Sequence, residues 1–151
     1  MTINELVDGL VGVLQAVAST QMAQAKVYKG DQRGARGPRE ISVVWLGAGE
    51  SHGFNNEFSD EHRVMLIARM PCADPAETSP TAPGTWYGYF LDLCQELRDA
   101  VTTVATRTLT AGGEQFQRLE ITGDECGYDA GQGADEMWMY TVTLTVQAPQ
   151  D

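Results

Sequence analysis

Hydrophobic positions recur at helical intervals in two segments of the chain. In residues 2–19 apolar side chains return every three or four positions, and Thr2 with Glu5 has the spacing of a capping box. The second segment follows Thr85, a good N-cap residue, and keeps helical spacing over residues 86–104. The pattern therefore predicts two amphipathic helices, each with one apolar face available for a core.

Strand-like patterns occupy four further segments. Residues 41–46 and 62–70 are short apolar runs ended by glycine and by proline, and residues 116–122 and 138–146 alternate between two faces. The predicted order is α-β-β-α-β-β. Successive strands without a helix between them favour antiparallel pairing, so the predicted fold class is α+β, a mostly antiparallel sheet with two helices packed on one face. We expect the last strand to pack on the second helix through Trp138, Tyr140, Val142, Leu144, Phe90, Leu93 and Leu97.

Three segments lack these periodicities and differ in composition. Residues 24–39 hold glycines, a proline and five of the ten basic residues, which predicts a basic loop. Residues 71–84 hold four prolines and are expected to form an extended surface linker. Residues 123–136 hold glycines and acids without a base, which predicts an acidic hairpin loop. The whole chain, residues 1–151, is expected to form a single domain.

Charge and cysteine content narrow the classes of function. The formal net charge of -11 repels phosphate and anionic lipid, which argues against coating of nucleic acid or binding to a membrane surface. Cys72, Cys94 and Cys126 form no CxxC pair, so reduced thiols in a cytosolic setting are expected. The acidic start of the sequence and the lack of an apolar run of about 18 residues give no indication of export or of a membrane span.

Candidate catalytic and metal-binding patterns are weak. His62 lies beside two acids, but without a nucleophile motif a solvated residue at a strand end is favoured over a catalytic base, and His52 has no second ligand in view. The acids of residues 120–136 lack calcium-loop spacing, which favours a charged hairpin over a cation site. The stretch GAGESHG at 47–53 has neither GxGxxG spacing nor a P-loop lysine, so a turn is favoured over a phosphate site. We therefore predict no enzyme activity and no cofactor.

The separation of charge along the chain suggests an interface. The basic loop is either a solvated segment or a surface that docks on the acidic hairpin of a neighbouring copy, and the charge balance favours such a copy over nucleic acid. The candidate subunit-interface residues are Lys26, Lys29, Arg33, Arg36, Arg39, Asp124, Glu125, Asp129, Asp135 and Glu136.

The order of elements also resembles a known family. The segments NELVDGLVGVL, HRVMLIARM, YFLDLCQELRDAV and MWMYTVTLTVQ follow one another as in the tail terminator, or tail-completion, proteins of long-tailed bacteriophages, and the resemblance covers most of the chain. It implies a small subunit of a homohexameric ring that caps the tail tube and joins it to the head. The implied partners are other copies, the tail tube protein and the head–tail connector proteins, while DNA passes through without specific binding. The implied location is the head-proximal end of a virion tail, after synthesis in the host cytoplasm.

Another class of function remains open from the sequence. An acidic inhibitor that mimics DNA, or another small protein-binding module, is also compatible with the net charge. DNA mimics scatter acids along helices and strands, whereas the acids here concentrate around one segment. A ring-forming protein is expected to be oligomeric in gel filtration, or to become so with its tail partner.

Overall fold

The chain folds into two helices and a five-stranded sheet. The computed structural model describes residues 2–31, 39–52, 58–72, 84–102, 110–111, 114–115, 118–129 and 136–149. The helices are α1 (Ile3–Gln15), a short 3-10 helix (Met22–Gln24) and α2 (Thr85–Thr102). The strands are β1 (Lys26–Lys29), β2 (Glu40–His52), β3 (Phe58–Pro71), β4 (Thr110–Ala111), β5 (Glu114–Gln115), β6 (Arg118–Asp129) and β7 (Met137–Pro149).

Helix α1 begins at the predicted capping box. The Glu5 N–H donates to Thr2 Oγ1 at 3.1 Å, and the Thr2 N–H donates to Glu5 Oε2 at 2.8 Å, so two otherwise unpaired donors are satisfied. The helix ends at Gln15, before the predicted residue 19. The Ala16 N–H is shared among the carbonyls of residues 12, 13 and 14, which tightens the last turn and stops the helix.

Helix α2 begins at Thr85, one residue before the predicted start, so Thr85 is its first residue and not its N-cap. Trp86 Nε1 donates to the Pro71 carbonyl at 2.7 Å, which ties the start of this helix to the end of β3. Residues 73–83, most of the predicted proline-rich linker, lie outside the described residues, as do residues 103–109 beyond the helix.

The strands of the main sheet lie in the order β1-β2-β3-β7-β6. Strands β1 and β2 pair in parallel, and the other three pairs are antiparallel. Strands β4 and β5 form a separate two-stranded pair. The predicted α+β class with a mostly antiparallel sheet is confirmed.

The hydrophobic core lies between the helices and one face of the sheet. It contains Leu6, Leu10, Leu14, Phe90, Leu93, Leu97, Val64, Leu66, Ala68, Met70, Tyr140, Val142, Leu144 and Val146. The strand members of this set alternate along β3 and β7, so they share one face, on which both helices pack. We call this side the helix face, marked by Leu66 and Val142, and the other side the far face, marked by Ile67 and Thr141. The predicted contact between the last strand and α2 is confirmed, and Trp138 adds a ring 5.7 Å from that of Phe90.

Three predicted loops are partly strand. Residues 26–29 of the basic loop form β1, residues 47–52 of the predicted turn continue β2, and residues 123–129 of the acidic hairpin continue β6. Glycines in β2 and β6 are tolerated because each strand has a long antiparallel partner that supplies the ladder of hydrogen bonds. The register between β2 and β3 shifts between Trp45 and Gly47. Gly47 has a φ of +127°, a backbone conformation that favours glycine.

A matched pair of substitutions on α2 tests the core. Leu93 is fully buried while Leu91, two residues away, is 48% exposed. We expect Leu93→Ala to lower the free energy of unfolding by about 2 to 5 kcal/mol, because it leaves a cavity. Leu91→Ala should change it by less than about 0.5 kcal/mol. Urea denaturation of both variants checks this, and equal effects would contradict the assigned helix orientation.

Candidate subunit interface

The two lysines of the basic segment lie on β1, at one edge of the sheet. Lys29 Nζ lies 2.9 Å from Asp8 Oδ1 and donates to Asn4 Oδ1 at 2.7 Å, so it ties β1 to α1. The Lys26 side chain is exposed, and it forms no ion pair with another residue that the structure describes. Of the two, Lys26 is therefore the lysine available to a partner.

Arg39 is part of the core and not of an exposed loop. Its side chain is 5% exposed, its Nε donates to Gln21 Oε1 at 2.7 Å, and its guanidinium carbon lies 5.1 Å from the centre of the Trp86 ring. The prediction that placed Arg39 on a solvent-exposed loop is therefore wrong, because composition alone does not show which arginine turns inward. Arg33 and Arg36 lie outside the described residues.

The environment of Arg39 joins several elements. The N–H groups of Gln21 and Met22 both donate to Glu96 Oε1, at 2.8 and 3.3 Å. Glu96 of α2 thus holds the 3-10 helix, while Gln21 holds Arg39 at the start of β2. This small network fixes the entry of the chain into the sheet.

Among the acids, Asp124 has partners within its own chain. Its Oδ2 accepts from Arg98 Nη1 and from the Tyr140 hydroxyl, both at 2.7 Å. Burial raises the pKa of Tyr140 to about 12, and the bond to Asp124 acts in the same direction, so this hydroxyl stays protonated and donates. Asp124 therefore holds α2 against β6, and its carboxylate is not spare for another subunit.

The remaining acids lie along or beyond β6, at the other edge of the sheet. Glu125 is exposed and, within the described part of the chain, has no ion-pair partner. Glu136 accepts a hydrogen bond from the Tyr128 hydroxyl, which raises the pKa of Tyr128 to about 12. Asp129 ends β6, and Asp135 lies outside the described residues. The basic and acidic segments occupy opposite edges of one sheet, β1 and β6.

An exposed aromatic patch was not predicted. Tyr87, Tyr128 and Leu91 are 40%, 54% and 48% exposed. The Tyr87 ring lies 4.8 Å from that of Trp138, and Trp138 is the register partner of Tyr128. The patch therefore runs across the seam between α2 and β6. The spacing of Tyr87 and Leu91, four residues apart and off the core stripe, was a signal that sequence reasoning missed.

A buried charged cluster on the far face was also missed. Arg69 is 1% exposed, and its Nη1 lies 3.1 Å from Asp31 Oδ1. Glu40 is the register partner of Arg69, and burial raises the pKa of the Glu40 carboxyl while Arg69 offsets part of that shift. The cluster joins the end of the β1 segment to β2 and β3.

His62 is buried and not a solvated strand end. Its position on the helix face of β3 makes it 4% exposed, and its Nδ1 accepts from Trp45 Nε1 at 3.1 Å. Burial lowers the pKa of His62, with Asp60 opposing, so the neutral ring is favoured. The predicted solvated position is wrong, because the alternation of β3 turns this residue toward the core.

Among the described residues, no group of three or more His, Cys, Asp or Glu is arranged to hold a metal ion. Burial raises the pKa of Cys94 to about 12, which keeps this thiol protonated at neutral pH. The described helices include none that is long and apolar enough to cross a membrane.

Removing Arg39 should destabilise the fold, whereas removing Lys26 should not. We expect Arg39→Ala to lower the free energy of unfolding by about 2 to 4 kcal/mol, because a buried charge-assisted hydrogen bond and a cation–π contact are lost. Lys26→Ala should stay within about 0.5 kcal/mol of the parent chain. Denaturant midpoints measure both, and an unaffected Arg39→Ala variant would contradict the buried position.

Titration of His62 should make stability depend on pH. The folded-state pKa lies below the unfolded value of about 6.5, so the contribution of neutral His62 is present above pH 6.5 and is lost as pH falls toward the folded-state pKa. His62→Asn keeps an acceptor for Trp45 without titrating, so its unfolding free energy should decline less over that range. If the unfolding free energies of the parent chain and the variant fell equally with pH, His62 would not be the group responsible.

Comparison with known proteins gives a similarity of fold. No protein-family model and no curated protein matches the chain. The fold is similar to that of a chain in the solved structure "Virion of native gene transfer agent (GTA) particle", with 13% identity, 97% of this chain and 96% of that chain covered, and a TM-score of 0.61. A second solved chain is 14% identical over 98% of this chain and 94% of its own, with a lower TM-score of 0.47. The chain therefore shares a fold, over nearly its whole length, with a component of a GTA virion.

Proposed function

We propose that this chain is a structural protein of a phage-like virion and acts as a tail terminator, in a homohexameric ring that caps the tail tube and joins it to the head connector. The observation that carries the proposal is the fold shared with a GTA virion chain over 97% of this chain and 96% of the other. The order of sequence elements, which resembles phage tail terminators, adds the finer assignment.

The distribution of charge supports a subunit of a ring. A closed ring requires two different patches on opposite sides of each subunit, because each copy contacts one neighbour with one patch and the other neighbour with the second. Here the basic strand β1 and the acidic strand β6 lie at opposite edges of the sheet. A single patch on one side would favour a two-fold dimer.

The net charge supports a passage for DNA that does not bind it. A formal charge of -11 repels phosphate, so a ring of such subunits would let DNA pass without adhering. The resemblance to tail terminators supplies the proposed partners, which are other copies of the chain, the tail tube protein and the head–tail connector proteins. The proposed location is the head-proximal end of the tail.

The internal pairing of Asp124 weighs against a DNA mimic. Such an inhibitor presents carboxylates in place of phosphates, whereas the Asp124 carboxylate is paired with Arg98 and Tyr140 of its own chain. The acids that remain exposed on β6 follow one sheet edge. This arrangement fits contact with another subunit better than imitation of the phosphates of DNA.

Disruption of the gene in the strain that encodes it tests the proposal. Without a cap, nothing stops tube growth or provides a surface for the head, so we expect separate heads and tail tubes of irregular length under the electron microscope. Supplying the parent chain in trans should restore joined particles of uniform tail length. Normal joined particles in the disrupted strain would rule the function out.

A further inference from the structure

The two edge strands differ in charge along their exposed sides. On β6 every described side chain from Thr122 to Tyr128 is exposed, and no base occurs in residues 119–136. On β1 the two charged residues are Lys26 and Lys29, and both are exposed. Edge strands carry unpaired backbone groups that can bind another strand, so these charges influence which strand is accepted.

Like edges repel each other and unlike edges attract. Pairing β6 with β6 of another copy would place acids beside acids, and pairing β1 with β1 would place lysines beside lysines. Pairing β1 with β6 places opposite charges together and leaves a free edge of each kind for the next copy. The charge pattern therefore disfavours a two-fold dimer and favours head-to-tail association.

The strand directions are compatible with such a joint. β1 runs parallel to β2, and three successive antiparallel pairs lead from β2 to β6, so β1 and β6 run in opposite directions. Copies related by rotation about an axis along the strands keep these directions. The β1 edge of one copy would then meet β6 of the next as an antiparallel pair, continuing the sheet.

The charged side chains also lie on the same face. One row of register partners crosses the sheet in the order Tyr28, Ser42, Ile67, Thr141 and Glu125. Tyr28 and Glu125 therefore both lie on the far face, and Lys26, two residues from Tyr28, lies there too. In a continued sheet, Lys26 of one copy and Glu125 of the next therefore lie on the same face, and a shift of two residues in the register between copies places them opposite each other.

On the helix face, apolar side chains lie near both edges of the sheet, and they complement the charges of the far face. Next to β6 is the exposed aromatic patch of Tyr87, Tyr128 and Leu91, and tyrosine is enriched at the centres of protein interfaces. Near β1, α1 exposes Ile3 to 44%, and Val27 is half-buried. Head-to-tail contact removes apolar surface from water on this side while the far face pairs its charges.

We propose that a second copy of this chain docks along β6 through its β1 edge, with Lys26 facing Glu125, so that one sheet continues from subunit to subunit. The inference rests on the proposed ring and specifies the joint that builds it. The charges select the orientation, and the backbone pairing and the apolar contact hold the joint.

A charge swap in the full-length chain tests this joint. Lys26→Glu and Glu125→Lys each place like charges across it and should weaken self-association about tenfold. Combining both substitutions in one chain recreates an opposite pair and should restore most of the lost association. Glu61→Lys is the matched control, because Glu61 is exposed but lies on the central strand β3, and it should leave association unchanged. Light scattering over a concentration series measures mass, and urea denaturation confirms that each variant folds.

The outcomes separate this joint from the proposed function. The joint would be overturned if neither single substitution changed the mass of the rings. It would also be overturned if the double variant associated no more strongly than the single variants. Either result would leave the ring itself in place. Open filaments that respond to the charge swap would support the joint and contradict the tail terminator. A parent chain that stays monomeric at all concentrations and at low salt, both alone and with tail tubes, would overturn both.

Discussion

The pairing of β3 with β7 is the interaction on which the rest of the structure depends. The two strands stay in register from Ser59 with Pro149 to Pro71 with Met137, without a shift. Their alternation gives one continuous apolar face, and both helices pack on it. On one side of this central pair, β2 pairs with β3 and carries β1 at the edge of the sheet. On the other side, β6 pairs with β7 and forms the opposite edge. The edges, and the charges they carry, therefore take their positions from this central pair.

Much of the fold was predictable because periodicity directly reflects burial. The alternation of Tyr140, Val142 and Leu144 identified the last strand and its helix face, and the capping box located the start of α1. Strands β2 and β6 continue through glycine-rich and acidic segments. The local sequence pattern does not predict this, because the hydrogen bonds that hold these segments come from a partner strand distant in sequence. The short strand β1 is the extreme case, because four residues form a strand only when β2 lies beside them.

The sequence shows where charges lie along the chain but not where they lie in the fold. Composition separated a basic segment from an acidic one, but it did not indicate that these segments form opposite edges of one sheet. Nor did it distinguish Lys26, which is exposed, from Arg39, which stacks on Trp86 and binds Gln21. Burial of a long basic side chain depends on where an aromatic ring and an acceptor meet it in space. The same limit applies to His62, whose partner Trp45 lies on the neighbouring strand.

The register irregularities of β2 and β6 bear on the shape of an assembly. One lies between Trp45 and Gly47 and the other between Ile121 and Gly123, so the sheet is interrupted on both sides of its central pair. An extra residue on one strand bends that strand and increases its twist, which gives the sheet curvature that a regular ladder would lack. Flat subunits joined edge to edge extend a plane, whereas curved ones follow an arc. The bend contributed by each copy would then help to set how many copies complete a turn.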